Sequence, residues 1–172
     1  CSSDLFDEKV FKRQLQKILD LPCDKIFHNA IYDVGWLSAM GLEVKGRICD
    51  TMIAAPLIDE NRRNYSLKEI AQEYVGETKS EAGLYEAAKD FGVDAKAEMH
   101  LLPAMYVGPY AEQDAAVTLK LWNALKVELI RQELTSVFNL ETELLPILFH
   151  MKRRGVRVDI EKAERLKAEF KA

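Results

Sequence analysis

Two short stretches carry residues that could do chemistry. The first is Pro109-Tyr110-Ala111-Glu112-Gln113-Asp114, followed by Ala115, Ala116, Leu119, Trp122, Leu125 and Leu129 at helical spacing. Residues i and i+4 share a helix face, so Tyr110 and Asp114 point the same way, one turn apart. A phenol hydroxyl then stands beside a carboxylate, a group able to act as acid, base or ligand. Pro109 suits the first turn of that helix. The same pattern also serves a solvated first turn, with an acid near the positive end of the helix dipole. The second stretch is Lys25-Ile26-Phe27-His28-Asn29-Ala30-Ile31-Tyr32-Asp33. Ile26 and Phe27 read as a short buried strand, and Asp33 sits on the helix that follows. Asn29 and Asp33 thus form a polar pair at a strand end, where α/β proteins build sites.

The elements around these stretches read mostly as helices. Asp4 or Asp7 can cap a helix ending before Pro22. A helix spans residues 31–39 and stops at Gly41; Arg47-Ile48-Cys49 is a second short strand, and Asp50 caps a helix through Ile58. Ser66 with Glu69 makes a capping box for a helix over 67–74. Further helices are expected over 81–91, 110–133 and 136–154, with one more from Ile160 capped by Asp159. Residues 94–108 fit no single pattern. Trp36 and Trp122 read as core, as do most of Tyr85, Phe91 and Tyr106.

The 172 residues suggest one main domain, and 48% hydrophobic content suffices for a core. No apolar run is long enough for a membrane span, and no signal peptide opens the chain. Three cysteines without metal spacing (Cys1, Cys23, Cys49) read as reduced thiols of a cytoplasmic protein. A net charge of −4 argues against a broad phosphate-gripping surface. It permits an enzyme that meets a strand end through bound cations. Residues 152–172 are the exception, with eight Lys or Arg against four Asp or Glu.

The ordered pair Asn29-x-x-x-Asp33 and Tyr110-x-x-x-Asp114 resembles the second and third motifs of the DEDDy 3′-5′ exonucleases, and within them the proofreading domain of family-A DNA polymerases. The likeness includes Asp50-Thr51-Met52, Ser66 to Ala71, and a tail from Glu143 to Asp159 that is similar to the junction with a polymerase domain. It implies an α/β fold of the ribonuclease-H-like (DnaQ-like) type, a mixed sheet with flanking helices. On that comparison the N-terminal strands and their Asp-x-Glu motif are missing from this sequence. No Asp-x-Glu precedes residue 29, and Asp4, Asp7 and Glu8 lie at the wrong place to replace it.

The resemblance also implies the chemistry. A two-ion centre of Mg²⁺ or Mn²⁺ hydrolyses the 3′-terminal phosphodiester of single-stranded DNA during replication. Asp114 holds the cation that activates water, Asp33 serves the second, Tyr110 orients the water, and Asn29 supports the strand end. Arg62 and Arg63 are candidates for phosphate contact. The expected division is an exonuclease domain over 1–135 and a helical junction over 136–172. With half of a two-ion site, the chain alone is expected to be inactive. An open sheet edge at residues 25–28 would favour self-association. An exoribonuclease similar to RNase D, or a catalytically silent scaffold, are the alternatives.

Overall fold

A computed structural model describes residues 7–77 and 81–170. The elements in order are α1 (Glu8–Leu19), β1 (Lys25–Phe27), α2 (Ala30–Ala39), β2 (Ile48–Asp50), α3 (Thr51–Ile58), α4 (Leu67–Val75) and α5 (Ala82–Phe91). A 3₁₀ turn, Met99–Leu101, leads to α6 (Ala104–Arg131), α7 (Thr135–Arg154) and α8 (Ile160–Glu169). Strands β1 and β2 are parallel, pairing Lys25 with Ile48, Ile26 with Cys49 and Phe27 with Asp50. Helix α2 is the crossover between them, as parallel neighbours require. Among the described residues β1 has one strand neighbour, so its other edge offers backbone groups to a further strand.

Long α6 organises the packing. It lies against α3 and α4, and also touches β1, α5 and α7. Its buried line is Val117, Thr118, Leu121, Trp122, Leu125 and Leu129. Leu121 and Leu125 are fully enclosed with Ile70, Cys49 and Phe138, while Ala54 and Ala55 let α3 approach closely. Trp122 and Phe138 pack with ring centroids 5.2 Å apart. A second cluster joins Leu84, Ala87, Ala88, Ala95 and Leu102, with Val107 and Tyr110 against it.

Several expectations change in detail. Helix α6 starts at Ala104, so Pro109 lies inside it rather than in its first turn. A proline there removes one backbone donor, a loss tolerable on the exposed side where water reaches the freed carbonyl. Ala115, Ala116 and Leu119 face outward, because the core line runs through 117, 118 and 121 instead. Ser66 makes no side-chain cap. Asn64 takes the role of Glu69 instead, accepting from Ser66 N (2.9 Å), and it donates to Glu69 Oε1 (2.7 Å), so the capping box does not form. Asp7 caps α1 through Lys9 N and Val10 N; Asp4 and Cys1 lie outside the described residues. Trp122 is core, but Trp36, Tyr85, Phe91 and Tyr106 are exposed. The pair Phe91–Tyr106 instead forms an edge-on surface contact at 6.2 Å.

One buried carboxylate ties these pieces together. Asp50, only 4% exposed, ends β2 and caps α3 through Met52 N (2.8 Å). Its two oxygens also accept from Asn29 N (3.0 Å) and Ala30 N (2.7 Å). Replacing Asp50 by Ala leaves these amides without their partner. Asp50→Ala is expected to cost about 2–3 kcal/mol in urea unfolding; a midpoint equal to wild type would show that the clamp is dispensable.

Candidate active site

Asp50 determines how the chain leaves β1. Asn29 adopts a left-handed conformation, φ 74° and ψ 57°, a turn that asparagine tolerates better than most residues. Its backbone N–H is held by Asp50, while its side chain is exposed and makes no cap bond. This fixes the start of α2, and Asp33 follows in the first turn. Beside it, the Thr51 hydroxyl donates to the Phe27 carbonyl (3.0 Å) and meets His28 Nδ1 at 2.8 Å. With its one proton committed to Phe27, Thr51 accepts there, so His28 carries a proton on Nδ1.

Opposite stands α6. Thr118 Oγ1 donates to the Asp114 carbonyl (2.7 Å), and Asp114 Oδ1 is buried. Asp33 and Asp114 line one cleft of about 620 Å³, with His28, Trp36, Leu37 and Thr118 among its walls. Tyr110, one turn before Asp114, is half-buried, packing against the α5 cluster rather than forming a wall of that cleft. Asn29 is not a wall of the cleft; its backbone turn opens α2. Arg62 is engaged elsewhere, paired with Glu73 and Asp59 and lying 5.6 Å from the Tyr74 ring centre. Arg63 is exposed in the same loop and, like Arg62, stands away from the cleft walls.

Two features of the site escaped the sequence reading. Trp36 is 61% exposed at the cleft rim, and meets Tyr32 edge-on with ring centroids 6.3 Å apart. Its place one turn after Asp33 was the available clue. The other is the grip of Asp50 on Asn29 and Ala30, for which a lone Asp at a helix start gives no sign.

Burial raises the pKa of Asp33, and the nearby Asp50 charge adds to the rise. Hard carboxylate oxygens suit a divalent cation such as Mg²⁺, which water and substrate phosphate can complete around one or two protein ligands. Among the described residues no group of three or more His, Cys, Asp or Glu side chains gathers to hold a metal. Asp33 and Asp114 are the cleft carboxylates that could hold such a cation. Among the described residues, no helix is long and apolar enough to cross a membrane.

The raised pKa has a testable sign. Folded Asp33 holds its proton more tightly than the unfolded chain does. Its contribution therefore favours folding below the ordinary carboxylate pKa, and declines as pH rises through the raised folded value. In metal-free buffer, Asp33→Asn should gain stability relative to wild type as pH rises above the ordinary carboxylate pKa. Urea titrations at each pH check this, and a difference that shrinks with rising pH contradicts it.

Known proteins share the family and the fold of this chain. The family described as 3′-5′ exonuclease matches residues 3–130. A DNA-directed DNA polymerase of Pseudomonas phage M6 is 40% identical over 143 residues, covering 82% of this chain and 22% of the relative. DNA polymerase I of Rhizobium leguminosarum is 34% identical over 152 residues, covering 85% of this chain and 14% of the relative. A solved structure described as the apo form of the nuclease superposes with a TM-score of 0.64 at 25% identity, over 82% of this chain and 64% of that one. The fold is thus the ribonuclease-H-like exonuclease fold, here dominated by helices. The chain spans a minor part of the length of the polymerases it matches. On the family match and the shared fold, this chain belongs to the 3′-5′ exonuclease domain family of family-A DNA polymerases.

Proposed function

We propose that the cleft between α2 and α6 removes the 3′-terminal nucleotide of a DNA strand, as the proofreading site of a polymerase to which this domain is linked. One observation carries the reading: Asp33 and Asp114, from motifs far apart in sequence, line the same cleft. In the active enzyme they would hold Mg²⁺ or Mn²⁺, with the bridging carboxylate supplied from outside the described residues. When bound, a pair of such ions supplies a lowered pKa for the attacking water and charge compensation at the leaving 3′ oxygen.

The chain's own residues do the rest. Tyr110, its ring packed against the α5 cluster one turn from Asp114, is assigned through its hydroxyl to position the water. His28 and Thr51 stiffen the strand end. The exposed face of Trp36 offers a stacking surface for a base of the strand. Of the two arginines, Arg63 is assigned to phosphate contact, since Arg62 is already ion-paired. The free edge of β1 is where a second copy would add a strand. The exonuclease domain ends between α6 and α7, near residue 135, and 136–172 form the junction. The free thiols Cys23 and Cys49 fit a reducing, cytoplasmic setting.

In the polymerase containing this chain, Asp114→Ala should slow 3′ nucleotide release on the order of a thousandfold, the loss of several kcal/mol of charge stabilisation. Tyr110→Phe should lower kcat with little change in strand affinity. Equal, small effects of both would place the site elsewhere. Trp36→Ala should weaken single-strand binding by about 1–3 kcal/mol, read by fluorescence anisotropy. The 172-residue chain alone should release little nucleotide in Mg²⁺; brisk release abolished by Asp114→Ala would contradict this reading.

A further inference from the structure

Behind α2 lies a second cavity, of about 890 Å³, bounded by the later half of that helix, the chain leading into β2, and the inner side of α7. Helix α2 is the wall it shares with the cleft: Asp33, Trp36 and Leu37 line the cleft, Val34 and Ser38 the cavity. The volume lies within the range of about 300–1,000 Å³ usual for small-molecule sites. Its body is apolar, through Leu42, Ile48, Leu145, Pro146 and Phe149.

Polar groups converge at one end. Thr142 of α7 is only 8% exposed, and its buried Oγ1 has no hydrogen-bond partner. A helical threonine can satisfy itself on the carbonyl four residues back. Thr118 does so on Asp114 (2.7 Å); Thr142 does not. One turn before Thr142, the Asn139 side-chain oxygen accepts from Arg47 Nη2, and the Arg47 guanidinium lies 5.6 Å from the Phe138 ring centre. Two contacts thus hold a cation beside an unused hydroxyl, and the Asn139 bond takes one of its five donors. A second guanidinium, Arg153, donates to Ser38 Oγ (2.8 Å) on the α2 wall. Glu43 and Glu143 also border the cavity, but both are exposed, and among the described residues no ion pair anchors either carboxylate.

We propose that this cavity is a second binding site, for a small organic anion with an apolar body. A carboxylate or phosphate head takes the Arg47 fork and the Thr142 hydroxyl, and the body lies along Leu145 and Phe149. A guanidinium fork matches the paired oxygens of such a head. A buried hydroxyl without a partner is costly, and a ligand oxygen removes that cost. An aliphatic carboxylate and a nucleoside monophosphate share this chemistry. Because α2 separates the two spaces, a strand in the cleft does not compete for the site.

Amide hydrogen exchange of the polymerase containing this chain, read by mass spectrometry, tests the proposal with octanoate, octylamine and thymidine 5′-monophosphate as probes. At least one of the two anions should slow exchange over residues 42–48 and 139–150 by about threefold or more. Octanoate alone doing so marks an aliphatic carboxylate site, and thymidine monophosphate alone a nucleotide site. Octylamine, with the body of octanoate and the opposite charge, should leave these segments unchanged. Thr142→Val, nearly the same shape, and Arg47→Gln should each abolish the protection, while unchanged exchange along α6 shows that the fold persists. A single-stranded oligonucleotide in excess should not reverse it. Equal protection by octylamine overturns the proposal. So does protection by neither anion, the result expected if water alone satisfies Thr142. Protection that survives both substitutions, or that falls on residues 110–118 instead, places the probe elsewhere and overturns it as well.

Discussion

The Asp50 carboxylate is the constraint on which the rest of the site depends. It sits at the end of β2, almost fully buried, and its oxygens accept from the backbone of Asn29, Ala30 and Met52. That single group joins the second strand, the start of α2 and the start of α3. Charge-assisted bonds of this kind are stronger than neutral ones, and buried amides without partners are costly. Asn29 is therefore held in a left-handed turn, and the turn sets where Asp33 stands. The partner carboxylate, Asp114, is placed by an independent device: a long helix anchored through Leu121, Leu125 and Leu129 in the core. Two carboxylates meet across a cleft because two rigid elements, each fixed by its own packing, face one another.

The arrangement carries an electrostatic tension. Asp33 lies in the first turn of α2, where the helix dipole favours a negative charge. Partial burial and the proximity of Asp50 oppose that preference and raise its pKa. A bound cation relieves both. Carboxylates with pKa values raised in this way are common at functional sites. The net charge of −4 is compatible with the proposed use of bound cations, rather than a basic surface, at a strand end.

Much of this was legible in the sequence because it depends on local pattern. The spacing of Tyr110 and Asp114, the strand–turn–helix run from Lys25 to Asp33, and the caps at Asp7, Asp50 and Asp159 all read directly. What was not legible depends on contacts between distant residues. Helix α6 begins at Ala104 because helical packing of Val107 and Tyr110 against α5 outweighs the loss at Pro109. Asn64 displaces Glu69 as the acceptor for Ser66 N before α4, a competition that local motifs do not rank. Trp36 was read as core on its apolar character, yet its face lies open at the cleft rim. Arg62 looked like a loop cation, but Glu73, on the following helix, claims it.

The central claim is that Asp33 and Asp114 together bind the catalytic cation. The most direct measurement is an anomalous-diffraction experiment on the manganese-soaked polymerase with a short single strand bound. The account predicts an anomalous peak in the α2–α6 cleft, coordinated by Asp114 and the strand's terminal phosphate and next to Asp33. A strand end and its manganese bound elsewhere, with this cleft empty, would contradict it.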